Sequence, residues 1–235
     1  MRGPIPPGGA AARYPMHWGH RKLEGGDVGI WTLPDPDVLL DELTQEQFDR
    51  SDDRMPYWAT VWPSAVALAE VVLAERSLAG RRVLDLGCGL GLVGLAALER
   101  GARVVFLDWE PAAIAASLAS ARDNGHEAEG HAADWRAPPL LEPFDLVLGA
   151  DVLYEERNGP GVARFLARHL VPGGEAWITD PGRRHAGNFP RECADARLTR
   201  ATCRILPTPA GAAVMNLWKV VRPRAPEAGS GASSK

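Results

Sequence analysis

The sequence predicts an α/β fold: a mostly parallel sheet of seven strands, with helices on both faces and one antiparallel closing strand. Three observations predict it. A short apolar strand at 81–86 runs into the loop Gly87-Cys-Gly-Leu-Gly91, and a helix starts at 92–98. Strand and helix patterns then alternate as far as residue 180. Two last apolar runs, 201–206 and 213–220, have no helix pattern between them, and Pro207-Thr-Pro-Ala-Gly211 is short enough to join them as an antiparallel hairpin.

At 235 residues, 46% hydrophobic and 24% charged, the chain can bury a full core and reads as one domain with extensions. Residues 1–26 are expected to be a largely disordered tail rich in Pro and Gly at its start, and 222–235 a second tail. Residues 27–62 form an N-terminal extension and 63–221 the main domain. The formal net charge is -4 and no polybasic run occurs, which argues against a nucleic-acid partner. There is no membrane-spanning run and no signal-peptide core, so a cytoplasmic location without a membrane partner is expected. Cys88, Cys193 and Cys203 are odd in number and lack paired spacing, as for reduced thiols. His17 and His20 have no further ligands at metal-site spacing, so they read as part of a solvated loop and no metal is expected.

In chain order, 27–33 reads as a strand and 38–43 as a short helix. The stretch Pro56-Tyr-Trp-Ala-Thr-Val-Trp62 is dense in aromatics, and Pro63 can open a helix that continues to about Gly80. After the glycine loop, 103–107 is a strand ending at Asp108, and Pro111 opens an alanine-rich helix that stops near Asn124-Gly125. A weaker strand at 127–133 precedes Asp134-Trp135. A strong strand at 144–150 precedes Asp151, and a helix at 161–170 closes on Pro172-Gly-Gly174. The fifth strand, 175–179, precedes Asp180-Pro-Gly-Arg183.

The glycine loop points to a nucleotide-type ligand. Glycines let the backbone turn sharply and bring N–H groups close to a ligand, at the positive end of the next helix. Gly89, Gly91 and Gly94 satisfy G-x-G-x-x-G, which alone is weak support for a dinucleotide. Read from Asp85, the stretch is D-x-G-x-G-x-G. A carboxylate there would repel a pyrophosphate, and would instead attract an amino group or fix loop N–H groups. Four acids, Asp85, Asp108, Asp134 and Asp151, recur at strand ends, and those ends face one crevice in an open α/β sheet. Asp108 is placed to accept hydrogen bonds from two ribose hydroxyls, as a dinucleotide protein would also arrange.

On this loop the sequence resembles the class I, seven-strand, Rossmann-like methyltransferases that use S-adenosyl-L-methionine and release S-adenosyl-L-homocysteine. The resemblance covers about residues 55–220. It implies that Asp85, Gly87, Cys88, Gly89 and Gly91 hold the cofactor's methionine and ribose portion. Asp108 and Trp109 would serve the ribose end, Asp134 the adenine amino group, and Trp135, Trp62 and Ala150 would complete the cofactor set. Trp135 has a plainer role as a packing tryptophan. Asp151-Val-Leu-Tyr154 lacks the prolines of the base-methylating enzymes and resembles the D-x-x-Y group of protein lysine methyltransferases. The aromatic segment at 56–64 and Asp180-Pro-Gly-Arg183 resemble that group too, nearest the branch acting on the electron-transfer flavoprotein beta subunit.

The implied partner is a protein presenting a lysine. A lysine amine must lose its proton before attack, since its ordinary pKa is about 10.4. Asp151 is cast as the acceptor that aims the amine, and Tyr154 as a channel wall. Trp58 and Arg183 are assigned to the substrate channel, with Trp62 as further wall or as an anchor for the first helix. The rivals are a small-molecule methyltransferase on the same fold, a nicotinamide oxidoreductase and a non-catalytic cofactor-binding adaptor.

Overall fold

The computed structural model describes residues 3–36, 39, 56–207 and 214–224. The main sheet has seven strands: β3 (Arg82–Leu86), β4 (Arg103–Asp108), β5 (Glu129–Ala132), β6 (Phe144–Ala150), β7 (Leu170–Asp180), β8 (Thr202–Leu206) and β9 (Met215–Val221). Their order is β5-β4-β3-β6-β7-β9-β8. Neighbours run parallel except that β9 is antiparallel to both β7 and β8. The expected architecture is therefore present, with β6 in the middle of the order and β3 beside it. The chain leaves β3 for β4 on one side and later enters β6 on the other, which opens a crevice at the strands' carboxyl ends.

Five α-helices flank the sheet among the described residues: α1 (Pro63–Leu73), α2 (Leu92–Glu99), α3 (Pro111–Asp123), α4 (Asn158–His169) and α5 (Phe189–Asp195). Proline occupies the first turn of α1, α3 and α5, where no intrahelical N–H is needed. Strand periodicity sorts the core into two layers. Val83, Val104 and Phe106 pack with Leu68, Leu95 and Ala113 of α1, α2 and α3. Leu84, Val105 and Leu107 face the opposite way, with Val162 and Phe165 of α4 and Phe189 and Cys193 of α5. The seven-residue α5 has no counterpart in the sequence reading. Residues 171–174 bulge out of β7, because Phe144 pairs with Leu170 while Leu146 pairs with Glu175.

The N-terminal region differs most from expectation. Residues 17–23 are not tail or solvated loop. They form β1 (His17–Leu23), paired antiparallel with β2 (Gly26–Thr32). The outer edge of β2 is satisfied by α3: Asn124 Oδ1 accepts the Gly29 N–H, Ser120 Oγ accepts that of Trp31, and Asn124 Nδ2 donates to the Gly29 carbonyl. Ala11 and Tyr14 are buried ahead of the hairpin, and Tyr14 packs on Trp58 with ring centroids 5.4 Å apart. Residue 222, expected to open the C-terminal tail, is instead tied to the main sheet. The Arg222 N–H donates to the Gly174 carbonyl, and the Arg222 carbonyl accepts from Gly173. The helix expected at 38–43 lies outside the described residues, apart from Leu39, which is buried. Among the described residues, no helix is long and apolar enough to cross a membrane, and no cluster of potential metal ligands occurs.

Candidate active site

A cavity of about 350 Å³ opens at the carboxyl ends of β3, β4, β6 and β7. One end is the glycine loop. Gly87, Gly89 and Gly91 all have positive φ, at 63°, 53° and 83°. A Cβ on Gly89 would come within 3.1 Å of the Trp58 carbonyl oxygen, and one on Gly91 within 2.6 Å of Ser117 Oγ. The loop therefore needs glycine for both its conformation and its close packing.

The two acids beside the loop are buried and hold its backbone. Asp85 accepts the Gly94 N–H at 2.8 Å, tying β3 to the first turn of α2. Of its two expected tasks, it performs the fixing of a glycine N–H. Burial pushes its pKa up to about 8, against the pull of that hydrogen bond and with help from the Asp108 charge. Asp108 accepts the Gly89 N–H at 2.9 Å on one oxygen and the Glu110 N–H at 3.0 Å on the other. Burial raises its pKa to about 6, and the Glu110 and Gly89 amides oppose the rise. Burial also drives the Cys88 thiol well above its ordinary value, so it is an inert wall group.

Trp109 and Trp135 line the same cavity, Trp109 being 43% exposed. The Trp135 ring lies over Gly87, where a Cβ would sit 3.0 Å from it. Its indole Nε1 is buried without a partner. Asp134 is not among the lining residues. Its carboxylate turns to Arg136, accepting its backbone N–H at 2.8 Å and pairing with its guanidinium at 2.7 Å. Burial would raise the Asp134 pKa, but the Arg136 hydrogen bonds outweigh it and hold it low. The expected adenine contact at Asp134 is thus already engaged by a nearby arginine.

The other end of the cavity is formed by Tyr57, Trp62, Asp151, Tyr154, Glu155 and Arg183. Trp62 caps the start of α1 and donates its Nε1–H to the Tyr57 carbonyl at 2.9 Å. The Tyr57 ring stands edge-on to both Trp62 and Tyr154, each at 5.9 Å, so the three rings make one wall. Tyr57 was missed by the sequence reading, which chose its neighbour Trp58. Trp58 does reach the cavity, but it is 6% exposed and serves mainly to seat Tyr14. Glu155 was also missed. One of its oxygens pairs with Arg157 and the other is buried without a partner.

Asp151 follows β6 at a φ of 56°, a left-handed conformation that is strained for a residue with a side chain. The Thr179 carbonyl accepts its N–H at 2.8 Å and holds it there. Its carboxylate, expected to be an aiming acceptor, already accepts from an arginine. Arg183 donates Nε–H to one oxygen at 3.0 Å and Nη2–H to the other at 2.7 Å. The Asp180-Pro-Gly-Arg turn delivers that guanidinium. Asp180 accepts the Gly182 and Arg183 N–H groups at 3.1 and 2.9 Å, and Asn216 Nδ2 from β9 at 3.2 Å.

Residues 83–174 match the family model described as a methyltransferase domain. The matched stretch is a class I methyltransferase domain. The cofactor of this domain class is S-adenosyl-L-methionine. The electron transfer flavoprotein beta subunit lysine methyltransferase of Danio rerio is 36% identical over 131 residues, 54% of this chain and 51% of that protein. The cypemycin N-terminal methyltransferase of Streptomyces sp is 32% identical over 171 residues, 70% of this chain and 64% of that protein. The chain thus spans about half to two thirds of the length of these relatives. Among solved structures, the N-methyltransferase NodS of Bradyrhizobium japonicum in complex with S-adenosyl-l-homocysteine has a TM-score of 0.56 at 19% identity, covering 76% of this chain and 96% of that one. The methyltransferase domain fits its cofactor here. The loop glycines leave no side chain between backbone and ligand, a buried acid ends β4, and the cavity volume falls in the range of small-molecule sites.

Proposed function

We propose that the protein is an S-adenosylmethionine-dependent methyltransferase that acts on the side-chain amine of a lysine in a protein. The observation that carries this reading is the second end of the cavity. Asp151 and Tyr154, the two ends of one four-residue motif, stand beside an aromatic wall in the same cavity as the glycine loop.

S-adenosyl-L-methionine, held at the glycine loop by Gly87, Gly89 and Asp108, would supply an electrophilic methyl group for the lone pair of an acceptor nitrogen, the electrons of the broken bond remaining on sulfur. The chain's own residues position the other partner. Tyr57, Trp62 and Tyr154 offer ring edges and faces to an alkyl chain, and an apolar wall disfavours the ammonium form. Asp151 keeps lone pairs beyond the two that Arg183 occupies, and one of these can accept an amine N–H. Holding the nitrogen in line with the methyl carbon is the main task, because positioning alone supplies much of such a rate. Trp58, Leu90 and the glycine loop line the same cavity.

A peptide α-amine is the second reading. The cypemycin enzyme, named for an N-terminal substrate, matches the larger share of this chain. One experiment separates the two. The protein is incubated with radiolabelled cofactor and two peptide pools: one N-acetylated with lysines, one with free N-termini and no lysine. Label in the acetylated pool supports the lysine reading. Label confined to the other pool moves the assignment to the α-amine, and label in neither but in small metabolites of a lysate moves it to a small-molecule acceptor.

A further inference from the structure

The pairing of Asp151 with Arg183 has a consequence for which form of the acceptor the site takes. An unpaired carboxylate at this place would bind an ammonium ion, which has no lone pair and cannot accept a methyl group. The structure instead neutralises that carboxylate before any acceptor arrives. The fork is bidentate at 3.0 and 2.7 Å, and Asp151 is buried while the guanidinium stays partly exposed in the same cavity. Both partners are held from behind. Asp151 is fixed by the Thr179 carbonyl, and Arg183 by the Asp180 turn with Asn216 behind it.

We propose that Arg183 is a positioning residue that cancels the charge of Asp151, so that the site selects the neutral amine and leaves Asp151 as an aiming acceptor. This rests on the amine-methylation reading above. The fork also fixes the carboxylate plane, which determines where its remaining lone pairs point. Arg183 remains a cation throughout, since Asp151 raises its pKa further. The other charged or titratable groups around this end are Tyr57 from the aromatic turn, Tyr154 and Glu155 after β6, and Asp180 behind Arg183. Asp85, Asp108 and Cys88 lie at the glycine-loop end. Glu155 is paired with Arg157 and Asp180 with the turn amides, so Arg183 is the cation placed directly on Asp151.

The test uses n-butylamine, the lysine side chain without its backbone, titrated into the full chain saturated with S-adenosyl-L-homocysteine and followed by NMR. The wild type takes the neutral amine, so its apparent affinity rises about tenfold per pH unit from pH 7 to pH 9, below the amine pKa of about 10.4. Arg183→Gln uncovers the carboxylate. It should bind butylammonium at pH 7 about tenfold more tightly than the wild type, with little pH dependence, the scale on which a bare opposite charge shifts an amine. Asp151→Asn leaves the guanidinium alone, and should bind no more tightly than the wild type at pH 7 and keep the rise with pH. Arg183→Lys keeps the charge without the fork, and should keep the wild-type slope. A purely structural role predicts weaker binding in both Arg183→Gln and Asp151→Asn with the wild-type slope in each, and that result overturns the proposal. If butylamine binds to none of the proteins at any pH, the lysine reading itself falls and this proposal with it. If it binds to all with one affinity and one slope, the lysine reading survives and only the role of Arg183 is lost.

Discussion

The Asp108 carboxylate accepts the Gly89 N–H at 2.9 Å, so the acid that ends β4 and the loop that follows β3 are one unit. The same carboxylate holds the Glu110 N–H with its other oxygen. Each oxygen keeps a further lone pair for a ribose hydroxyl.

Replacement of Asp108 therefore has two separable effects. Asp108→Ala should weaken S-adenosyl-L-homocysteine binding by about 1.5–3 kcal/mol for each charge-assisted hydrogen bond lost. Asp108→Asn keeps one acceptor oxygen for the loop and should lose less. Calorimetry on both variants checks this. Equal affinity for wild type and Asp108→Ala would remove Asp108 from the cofactor site.

The raised pKa of Asp85 makes stability depend on pH in a definite direction. Its folded value is about 8 against an ordinary 3.8, because burial penalises the charge. Between these values the folded chain holds a proton that the unfolded chain has released. Rising pH therefore favours unfolding across this window, and the contribution is complete below about 3.8 and lost on passing about 8. Asp85→Asn keeps an acceptor for the Gly94 N–H and has nothing to ionise. Urea midpoints at pH 6 and pH 8 should fall for the wild type and fall less for Asp85→Asn. Parallel curves would show that Asp85 carries the same charge in both states.

Gly89 tests the loop's close packing. Alanine there would take on a φ of 53° and place its Cβ 3.1 Å from the Trp58 carbonyl oxygen. The left-handed conformation alone costs about 1–2 kcal/mol. The contact is with backbone, so relief requires moving the aromatic turn at Tyr57–Ala59, which forms part of the cavity wall. Gly89→Ala should lower both the melting temperature and cofactor affinity. A variant that melts earlier but binds normally would show that the turn yields without disturbing the cavity.

The legible parts of this molecule are those where a strong local pattern meets a special residue. Four apolar-rich strands end at Leu86, Asp108, Ala150 and Asp180, and Gly87, Asp108 and Asp151 at the ends of the first three line the crevice. The illegible parts depend on distant partners. Arg183 and Asp151 were each singled out, but their pairing spans 32 positions and no local spacing announces it. Tyr57 and Trp58 are adjacent in a single 3-10 turn and both reach the cavity, but Trp58 is also packed by the distant Tyr14 while Tyr57 stands against Trp62 and Tyr154, contacts that no local spacing announces. Strand β1 has an exposed, polar burial pattern with no alternation, so nothing in its composition separates it from a loop. Its order comes from β2 and, through β2, from Ser120 of α3 and Asn124 just past its end.

Tyr14 gives the sharpest test of that N-terminal order. It is buried, its ring is 5.4 Å from Trp58, and Arg13 lies over it at 4.7 Å. Trp58 in turn lines the cavity, and its carbonyl borders Gly89. A tail residue could be truncated without effect. A residue in this position cannot, because its removal leaves a void against an aromatic whose backbone borders the glycine loop. Tyr14→Ala should destabilise the fold by about 3 kcal/mol, the lower end of the cost of truncating a buried large aromatic. It should also weaken S-adenosyl-L-homocysteine binding, although Tyr14 is not itself among the cavity-lining residues. Tyr14→Phe keeps the ring and should restore most of both losses. Chemical denaturation and calorimetry on the pair decide the matter. If Tyr14→Ala unfolds and binds as the wild type does, residues ahead of β1 contribute nothing to the site, and the packing of Tyr14 on Trp58 is incidental.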